Sequence, residues 1–448
     1  VKRNKTDRGK AGTLFWDTTG FSSTMFEVKE KPKKVERAFL LSVISRKDEE
    51  SRADSLLSEL CELVGNLSIS VVGKLIVRTR KTFPGHILGK GKCEQIHDQV
   101  KELGCDVIIF DNEITPGQQR NWEELTKILV IDRHEIILDV FADRARTKEA
   151  VLQVRLARLE YSLPRLRRAW THLDRQRGGG VTQRGEGGAQ IELDQRMLRD
   201  KISSTKKEIK QVSSRRSTSR KKRQRIPLAT IAIVGYTNAG KSTLLNRISG
   251  SNVFAEDKLF ATLDPTSRKV KLPGGRTIVV TDTVGVIRKL PHRLIDAFKA
   301  TLEEALVADL LLNVVDFSCP EFEEHLQTTS HVLKELGASN KEILTVYNKI
   351  DHGDQIMTRL KAQLITPDCH FISCKSGEGM NQLLSTLEDR LNQEFEMESY
   401  SIPHQRYDLI SKLREQGCIC SEEIDGDGYR IMASPRGKLA NSIKEFLD

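Results

Sequence analysis

The chain has 448 residues, 38% hydrophobic and 30% charged, with 72 Lys and Arg against 62 Asp and Glu, a net charge of +10. That length exceeds one ordinary core and predicts two to four domains; no run of about 18 apolar residues occurs, so no membrane span is expected. The positive excess suggests a polyanionic partner without identifying one, and the eight cysteines, scattered and without a Cys-x-x-Cys pair, argue for reduced thiols in a cytoplasm rather than a disulfide scaffold or a zinc site.

The opening VKRNKTDRGKAGTLFW lacks the apolar segment of a secretory signal. Its first residue is Val rather than Met, which predicts a short preceding segment. Residues 1–36 are polar and are expected to form a flexible extension. Residues 37–145 then alternate strand and helix: AFLLSVIS, SISVVGKLIV, CDVIIFD and ILVID are strands, and SRADSLLSELCELV, KCEQIHDQVKELG and PGQQRNWEELT are helices. That alternation predicts a small, mostly parallel α/β domain. Within it GKGK, residues 89–92, lacks the spacing of a phosphate-binding loop; a turn or an approach to an RNA backbone is the expected use of Gly89 and Gly91.

From 146 to 226 the composition changes. RTKEAVLQVRLARLEYSLPRLRRAWTHL is a long helical pattern with an expected interruption near Pro164. DRQRGGGVTQRGEGGAQ is expected as a flexible loop, and IELDQRMLRDKISSTKKEIKQV as a second helix running into SSRRSTSRKKRQR. Two long helices joined by a glycine-rich tip make an arm. Trp170 has two readings, stacking on a base or packing in the hairpin.

Residues 227–396 alternate again. GYTNAGKS, residues 235–242, follows the apolar strand LATIAIV and precedes a helix, the context that G-x-x-x-x-G-K-[ST] requires. Gly235, Tyr236, Thr237, Asn238, Ala239, Gly240, Lys241, Ser242 and Thr243 are expected to wrap the phosphates, with Lys241 on the β- and γ-groups and Ser242 on Mg²⁺. Thr262 in FATLDPT, and Asp282 and Gly285 in DTVG, are expected to sense the metal and the γ-phosphate. Ser242, Thr262 and Asp282 are thus the metal set, and Lys241, Thr262 and Gly285 the catalytic one. Asn348, Lys349 and Asp351 of NKID, with Ser373, Cys374 and Lys375, are expected to form the base pocket. There Asp351 can accept two hydrogen bonds that guanine offers and adenine does not. Five short strings in order, each at a strand end, predict a Ras-like GTPase domain that takes GTP to GDP. Asn238 has two readings: several related GTPases hold K⁺ with an Asn here, and an Asn can also simply brace a loop. Val286 stands where many GTPases carry a water-orienting Gln, so slow intrinsic hydrolysis is expected. Residues 397–448 read as strand, helix, hairpin at Asp427-Gly428 and final helix, a small α+β domain.

The combination of FATLDPT, DTVG and the upstream RARTKEAVLQVRLARLEY, LPRL and WTHL resembles the HflX family of ribosome-associated GTPases. The likeness runs from about residue 85 through the GTPase domain, and VIIFDNEITPGQQRN and VIDRHEIILDVFADRARTKEA carry it beyond generic GTPase motifs. The resemblance implies a Ras-like P-loop GTPase domain preceded by a small parallel α/β domain and a long helical hairpin, and followed by a small α+β domain. It also implies binding to the large ribosomal subunit and its rRNA, with GTP hydrolysis raised there and a role in dissociation, rescue or recycling under stress. A monomer in the cytoplasm, partly ribosome-associated, is the corresponding expectation.

The chain departs from the family pattern in two places. The linker loop is RGEGGAQIELD, residues 184–194, where members usually carry R-G-P-G-E-T-Q-x-E-x-D; Arg184, Gly185, Gly187, Gln190, Glu192 and Asp194 match, and Glu186, Gly188 and Ala189 do not. Members usually have Phe at the position of Val286. Arg184, Gly185, Gly187, Arg215, Arg216, Arg220, Lys221, Lys222 and Arg223 are the expected RNA contacts, since basic side chains on an extended arm suit phosphates. The bland reading of the same run is a solvated basic face. Two rival functions stand beside the main one: an RNA-remodelling NTPase with a second nucleotide site near GKGK, and a regulatory switch with a protein partner.

Overall fold

The structure is a computed structural model that describes residues 35–45, 49–169, 184–223, 228–250, 259–290, 304–352, 356–394, 398–416, 419–426, 428–433, 435 and 438–447; along 166–169, 184–192 and 213–223 it describes helical backbone alone. The extension up to residue 34, Trp170, the Gly178–Gly180 tip and Asp427 lie outside the described residues. The chain divides into two compact units, Val1–Asp143 with Pro164–Gly187, and Arg144–Leu163 with Gly188–Asp448.

In the first unit, β1 (Arg37–Ile44) is buried at every residue after Arg37. A strand apolar on both faces suits a parallel sheet covered by helices. β2 (Ser70–Arg78), β3 (Val107–Phe110) and β4 (Leu129–Asp132) complete that sheet in the order β2-β1-β3-β4, with every pair parallel. α1 (Glu50–Asn66), α2 (Lys90–Glu102) and α3 (Pro116–Thr126) fall between the strands, as expected. The start of α3 follows from its sequence: the Thr115 hydroxyl accepts the Gln118 N–H, the Gln118 side chain accepts the Thr115 N–H, and Pro116 opens the helix. A further helix, α4 (Arg133–Arg144), follows β4 directly and had no counterpart among the expected elements. Its first residue is a buried guanidinium. Arg133 Nη1 donates to Asp111 Oδ1 at 2.7 Å and to the Leu56 carbonyl at 3.1 Å, while Nη2 pairs with Glu59.

Two expectations for the arm are corrected. α5 (Lys148–Ala169) runs through Pro164 without interruption. Proline removes one helical hydrogen bond at a cost of about 3 kcal/mol, and the next residue offsets it. Arg165 donates to Gln119 Oε1 at 3.1 Å, to Asp132 Oδ2 at 3.1 Å and to the Ile114 carbonyl at 3.3 Å. The glycine-rich segment is not loop to its end either: α6 (Arg184–Arg223) already includes Arg184, Gly185 and Gly187. Glycine costs a helix only about 1 kcal/mol per residue, which the long run of helix formers behind it can carry. α6 has 40 residues, a length on the order of 60 Å. Lys206 of α6 meets Glu160 of α5 at 2.8 Å, so the two form a hairpin. The expected RNA contacts Arg215, Arg216, Arg220, Lys221, Lys222 and Arg223 all lie on its backbone.

In the second unit, β5 (Thr230–Gly235), α7 (Lys241–Ser249), β6 (Thr266–Lys271), β7 (Thr277–Asp282), β8 (Leu310–Asp316), α8 (Phe322–Glu335), β9 (Glu342–Asn348), α9 (Ile356–Ile365), β10 (Cys369–Phe371) and α10 (Met380–Glu394) follow in chain order. They build a six-stranded sheet of order β10-β9-β8-β5-β7-β6, in which only β6 runs antiparallel to its neighbour. Chain order reverses at β5, which lies between β8 and β7. A crevice therefore opens beyond its carboxyl end, where open α/β sheets bind ligands. β11 (Glu398–Pro403), α11 (Tyr407–Gln416), β12 (Ile419–Asp425), β13 (Gly428–Ala433) and α12 (Lys438–Ile443) add an antiparallel sheet of order β11-β13-β12 over a core of Tyr400, Ile402, Ile410 and Leu413. Among the described residues no helix is long and apolar enough to cross a membrane.

Arg133→Met should destabilise the first unit by about 3–5 kcal/mol, because it removes the buried cation that pairs with both Asp111 and Glu59. Urea unfolding followed at Trp122, which is fully buried there, reads this loss.

Candidate functional site

The loop after β5 is built by backbone geometry. Asn238 and Gly240 adopt φ of 60° and 96°, and Gly240 caps α7, so the chain curls back before the helix begins. A Cβ on Gly240 would lie 2.2 Å from Asn348 Nδ2, which leaves no room for any other residue. Such a curl turns backbone N–H groups toward one point and sets a helix N-terminus behind them, an anion-binding arrangement. The cleft in front is lined by Thr237, Asn238, Gly240, Lys241, Ser242, Thr243, Phe260, Ala261, Thr262 and Gly285. Thr237 Oγ1 is buried with no hydrogen-bond partner among the described residues, so a hydroxyl remains to meet an oxyanion.

Lys241 is buried, and its ammonium donates to the Tyr236 carbonyl at 2.6 Å. Burial draws its pKa down to about 8 against the opposing pull of Asp282. A phosphate beside it would favour the charged form further. Ser242 Oγ donates to Asp282 Oδ2 at 2.6 Å and stands 2.7 Å from Thr262 Oγ1. Burial raises the Asp282 carboxyl, offset in part by Lys241. Its other oxygen, Oδ1, is buried with no hydrogen-bond partner among the described residues. Two hydroxyls and a carboxylate with an uncommitted oxygen form a hard-oxygen set, which fits Mg²⁺ completed by phosphate oxygens and water. No group of three or more His, Cys, Asp or Glu capable of holding a metal occurs among the described residues.

Gly285 packs against this loop. A Cβ there would fall 2.8 Å from Thr237 Cγ2 and 2.9 Å from both Thr237 Cα and Lys241 Nζ. The next residue continues the contact: Val286 N–H donates to the Gly235 carbonyl at 3.0 Å, and Thr237 N–H donates to the Val286 carbonyl at 2.8 Å. The Val286 side chain is buried.

The base-recognition strings converge from elsewhere in the sheet. Asn348 uses both ends of its amide: Nδ2 donates to the Ala239 carbonyl at 2.9 Å, and Oδ1 accepts the Cys374 N–H at 3.0 Å. It therefore ties the phosphate loop to the SCK loop. Ser373 Oγ donates to Asp351 Oδ1 at 2.7 Å and accepts the Ser376 N–H at 3.0 Å. That hydrogen bond holds the Asp351 carboxyl below its usual range, so it is an anionic acceptor at neutral pH. Lys349, with φ of 69°, pairs with Asp316 at 2.7 Å, and Lys375 is exposed at the rim. Burial lifts the Cys374 thiol to about 12, which leaves it inert as a nucleophile.

Tyr236 enters by its backbone, while its ring turns away from the cleft. The ring stacks on His325 at 3.7 Å with planes 8° apart, and its hydroxyl accepts the Arg288 N–H at 2.8 Å. Arg288 in turn pairs with Glu324 at 3.3 Å. Burial, followed by the nearby Arg288 charge, pushes His325 down to about 4 and keeps it neutral. Phe260, Ala261, Arg288 and His325 were absent from the expected site. Phe260 and Ala261 adjoin Thr262 in FATLDPT and line the cleft beside it, whereas Arg288 and His325 pack behind it on the Tyr236 side chain, which no local motif marks.

Gly285→Ala should cut GTP turnover by about a hundredfold, because the Asp-x-x-Gly turn must retreat on the order of 1 Å from Thr237 and Lys241. GDP affinity should change far less, and single-turnover kinetics beside GDP titration checks both.

Residues 54–142, 144–223 and 230–349 match family models described as GTP-binding GTPase N-terminal, GTP-binding GTPase Middle Region and 50S ribosome-binding GTPase. The chain is 45% identical over 436 residues to a GTPase HflX of Akkermansia muciniphila, an alignment covering 94% of this chain and 99% of that one. To the GTPase HflX of Escherichia coli it is 38% identical over 394 residues, 88% of this chain and 92% of that one. A crystal structure of a GTP-binding protein from Sulfolobus solfataricus in complex with GDP is 25% identical and covers 80% of this chain and 99% of its own, with a TM-score of 0.41. With relatives this similar along nearly its whole length, the chain belongs to the HflX family of GTPases.

Proposed function

We propose that this GTPase works on the large ribosomal subunit, bound through its N-terminal α/β domain and basic helical arm, in ribosome dissociation, rescue or recycling. GTP favours the bound state, and hydrolysis favours release. One observation carries the nucleotide half of the reading: Ser242, Thr262 and Asp282, from three separate segments, meet within hydrogen-bond distance beside a cradle of backbone donors. Arg184, Arg215, Arg216, Arg220, Lys221, Lys222 and Arg223, strung along α6, and the family description as ribosome-binding support the other half. The protein acts as a monomer in the cytoplasm with a ribosome-bound fraction.

In the reaction, the loop 235–243 holds the phosphates, Lys241 offsets their charge, and the Gly285 N–H meets the γ-phosphate. Ser242, Thr262 and Asp282 would hold Mg²⁺, which would supply positive charge against the charge building on the phosphoryl oxygens. Asp351 accepts guanine N1–H and the 2-amino group, with Ser373 fixing its rotamer. The buried Val286 leaves the attacking water to be ordered by the ribosome, so turnover is slow in its absence. Asn238, at the cleft wall, supports K⁺ as a further ligand.

GTP turnover should rise at least about tenfold with purified large subunits, fall back as salt weakens phosphate contacts, and run faster in K⁺ than in Na⁺. No response to subunits overturns the ribosomal reading, and equal rates in the two salts remove K⁺. Asp351→Asn should lose GTP use by more than about a hundredfold and gain use of xanthosine triphosphate, whose 2-oxo group presents the complementary acceptor.

A further inference from the structure

Two residues after Thr262, the first switch meets the base of the helical arm. Asp264 Oδ2 accepts the backbone N–H groups of Arg146 at 3.2 Å and Thr147 at 3.0 Å, and its Oδ1 accepts the Thr147 hydroxyl at 2.5 Å. Thr147 Oγ1 also accepts the Ala150 N–H at 3.2 Å, which makes it the capping residue of α5. A carboxylate in that position is favoured three ways: by charge-assisted hydrogen bonds, by the partial positive charge of the helix N-terminus, and by the capping hydroxyl it fixes.

On one side of Asp264, Thr262 touches Ser242, which is bonded to Asp282. On the other, β6 begins at Thr266, paired directly opposite Asp282. The intervening Leu263 is buried, and Pro265 stiffens the exit. Thr262 is thus suspended on a short tether whose free end is held by α5. The helix cannot drift from that position on its own, because Glu149, Ala150, Leu152, Gln153 and Val154 in its first turns are all buried.

We propose that the Asp264–Thr147 clasp is a positioning contact: the base of the arm sets where Thr262 stands, and occupancy of the γ-phosphate site is returned to the arm through the same carboxylate. Such coupling is reciprocal, so an arm held in place raises the competence of the cleft and GTP stiffens the base of the arm. The use of this coupling on the ribosome rests on the function proposed above; its effect on the isolated chain does not. An ordinary helix cap stabilises the fold but has no reason to distinguish GTP from GDP, which separates the two roles.

The test uses the full chain without ribosomes. In Asp264→Ala, and more mildly in Asp264→Asn, kcat and affinity for a non-hydrolysable GTP analogue should fall about tenfold, while GDP affinity stays within about twofold. Thr147→Ala should behave like Asp264→Asn, and Thr147→Ser should restore the wild-type values. In wild type the GTP analogue should slow hydrogen exchange at the amides of residues 150–153 more than GDP does, and Asp264→Asn should abolish that difference. Parallel loss of GTP and GDP affinity reduces the contact to a structural cap and overturns the proposal, as does an unchanged kcat in both Asp264 variants. Large subunits added to the same preparations separate the two readings. If they fail to stimulate wild type while the variants keep their GTP-specific defect, the ribosomal reading falls and the clasp stands. If they stimulate wild type and the variants show no defect without them, the clasp falls alone.

Discussion

The backbone exchange between Val286 and the pair Gly235 and Thr237 sets the distance between the second switch and the phosphate loop. Gly285 lies inside that distance, with no room for a side chain against Thr237 and Lys241. A residue whose N–H and carbonyl are both committed to the loop, and whose side chain is buried, has nothing left with which to orient water. The absence of glutamine at position 286 therefore follows from what this position does: it stitches the switch to the cradle. On the function proposed above, water ordering falls to backbone, ion or partner.

Buried charge is used in two opposite ways in the chain. In the first unit, Arg133 is matched by Asp111, Glu59 and a backbone carbonyl, and the network stabilises strand ends against helices. In the second, Lys241 and Asp282 are buried with their charges less fully offset. Lys241 finds only a carbonyl by hydrogen bond, and Asp282 keeps one oxygen unmatched among the described residues. Burying charge costs several kcal/mol unless it is paired and hydrogen-bonded, so the matched network reads as structure and the unmatched one as a site awaiting a polyanion and a hard cation.

Much of the architecture was legible because it is local. The apolar run of β1, the helical spacing in α1 and the Pro116 start of α3 depend on neighbours within a few residues. The misjudged places depend on distant ones. Pro164 should interrupt a helix, and the counterweight is Arg165 reaching Gln119 and Asp132 across the fold. The helix α4 is a local exception: Asp132 both ends β4 and caps the helix, accepting the Glu135 N–H at 3.2 Å, so strand passes into helix with no turn between them. Glycines 185 and 187 suggested a loop, yet a long helix extends through them.

The order and spacing of the nucleotide motifs, the parallel α/β character of both large sheets and the basic run on the arm were determined by sequence, since each rests on residue type and periodicity along a short stretch. Tertiary structure alone decided that Asn348 braces two loops, that Tyr236 turns its ring to His325, and that Asp264 grips Thr147. These contacts span from 26 positions, between Asn348 and Cys374, to 117, between Asp264 and Thr147. A carboxylate, an amide and a phenol carry no local sign of which distant donor will satisfy them; the choice is made when the sheet order brings their strand ends to one crevice and burial demands that each polar atom find a partner.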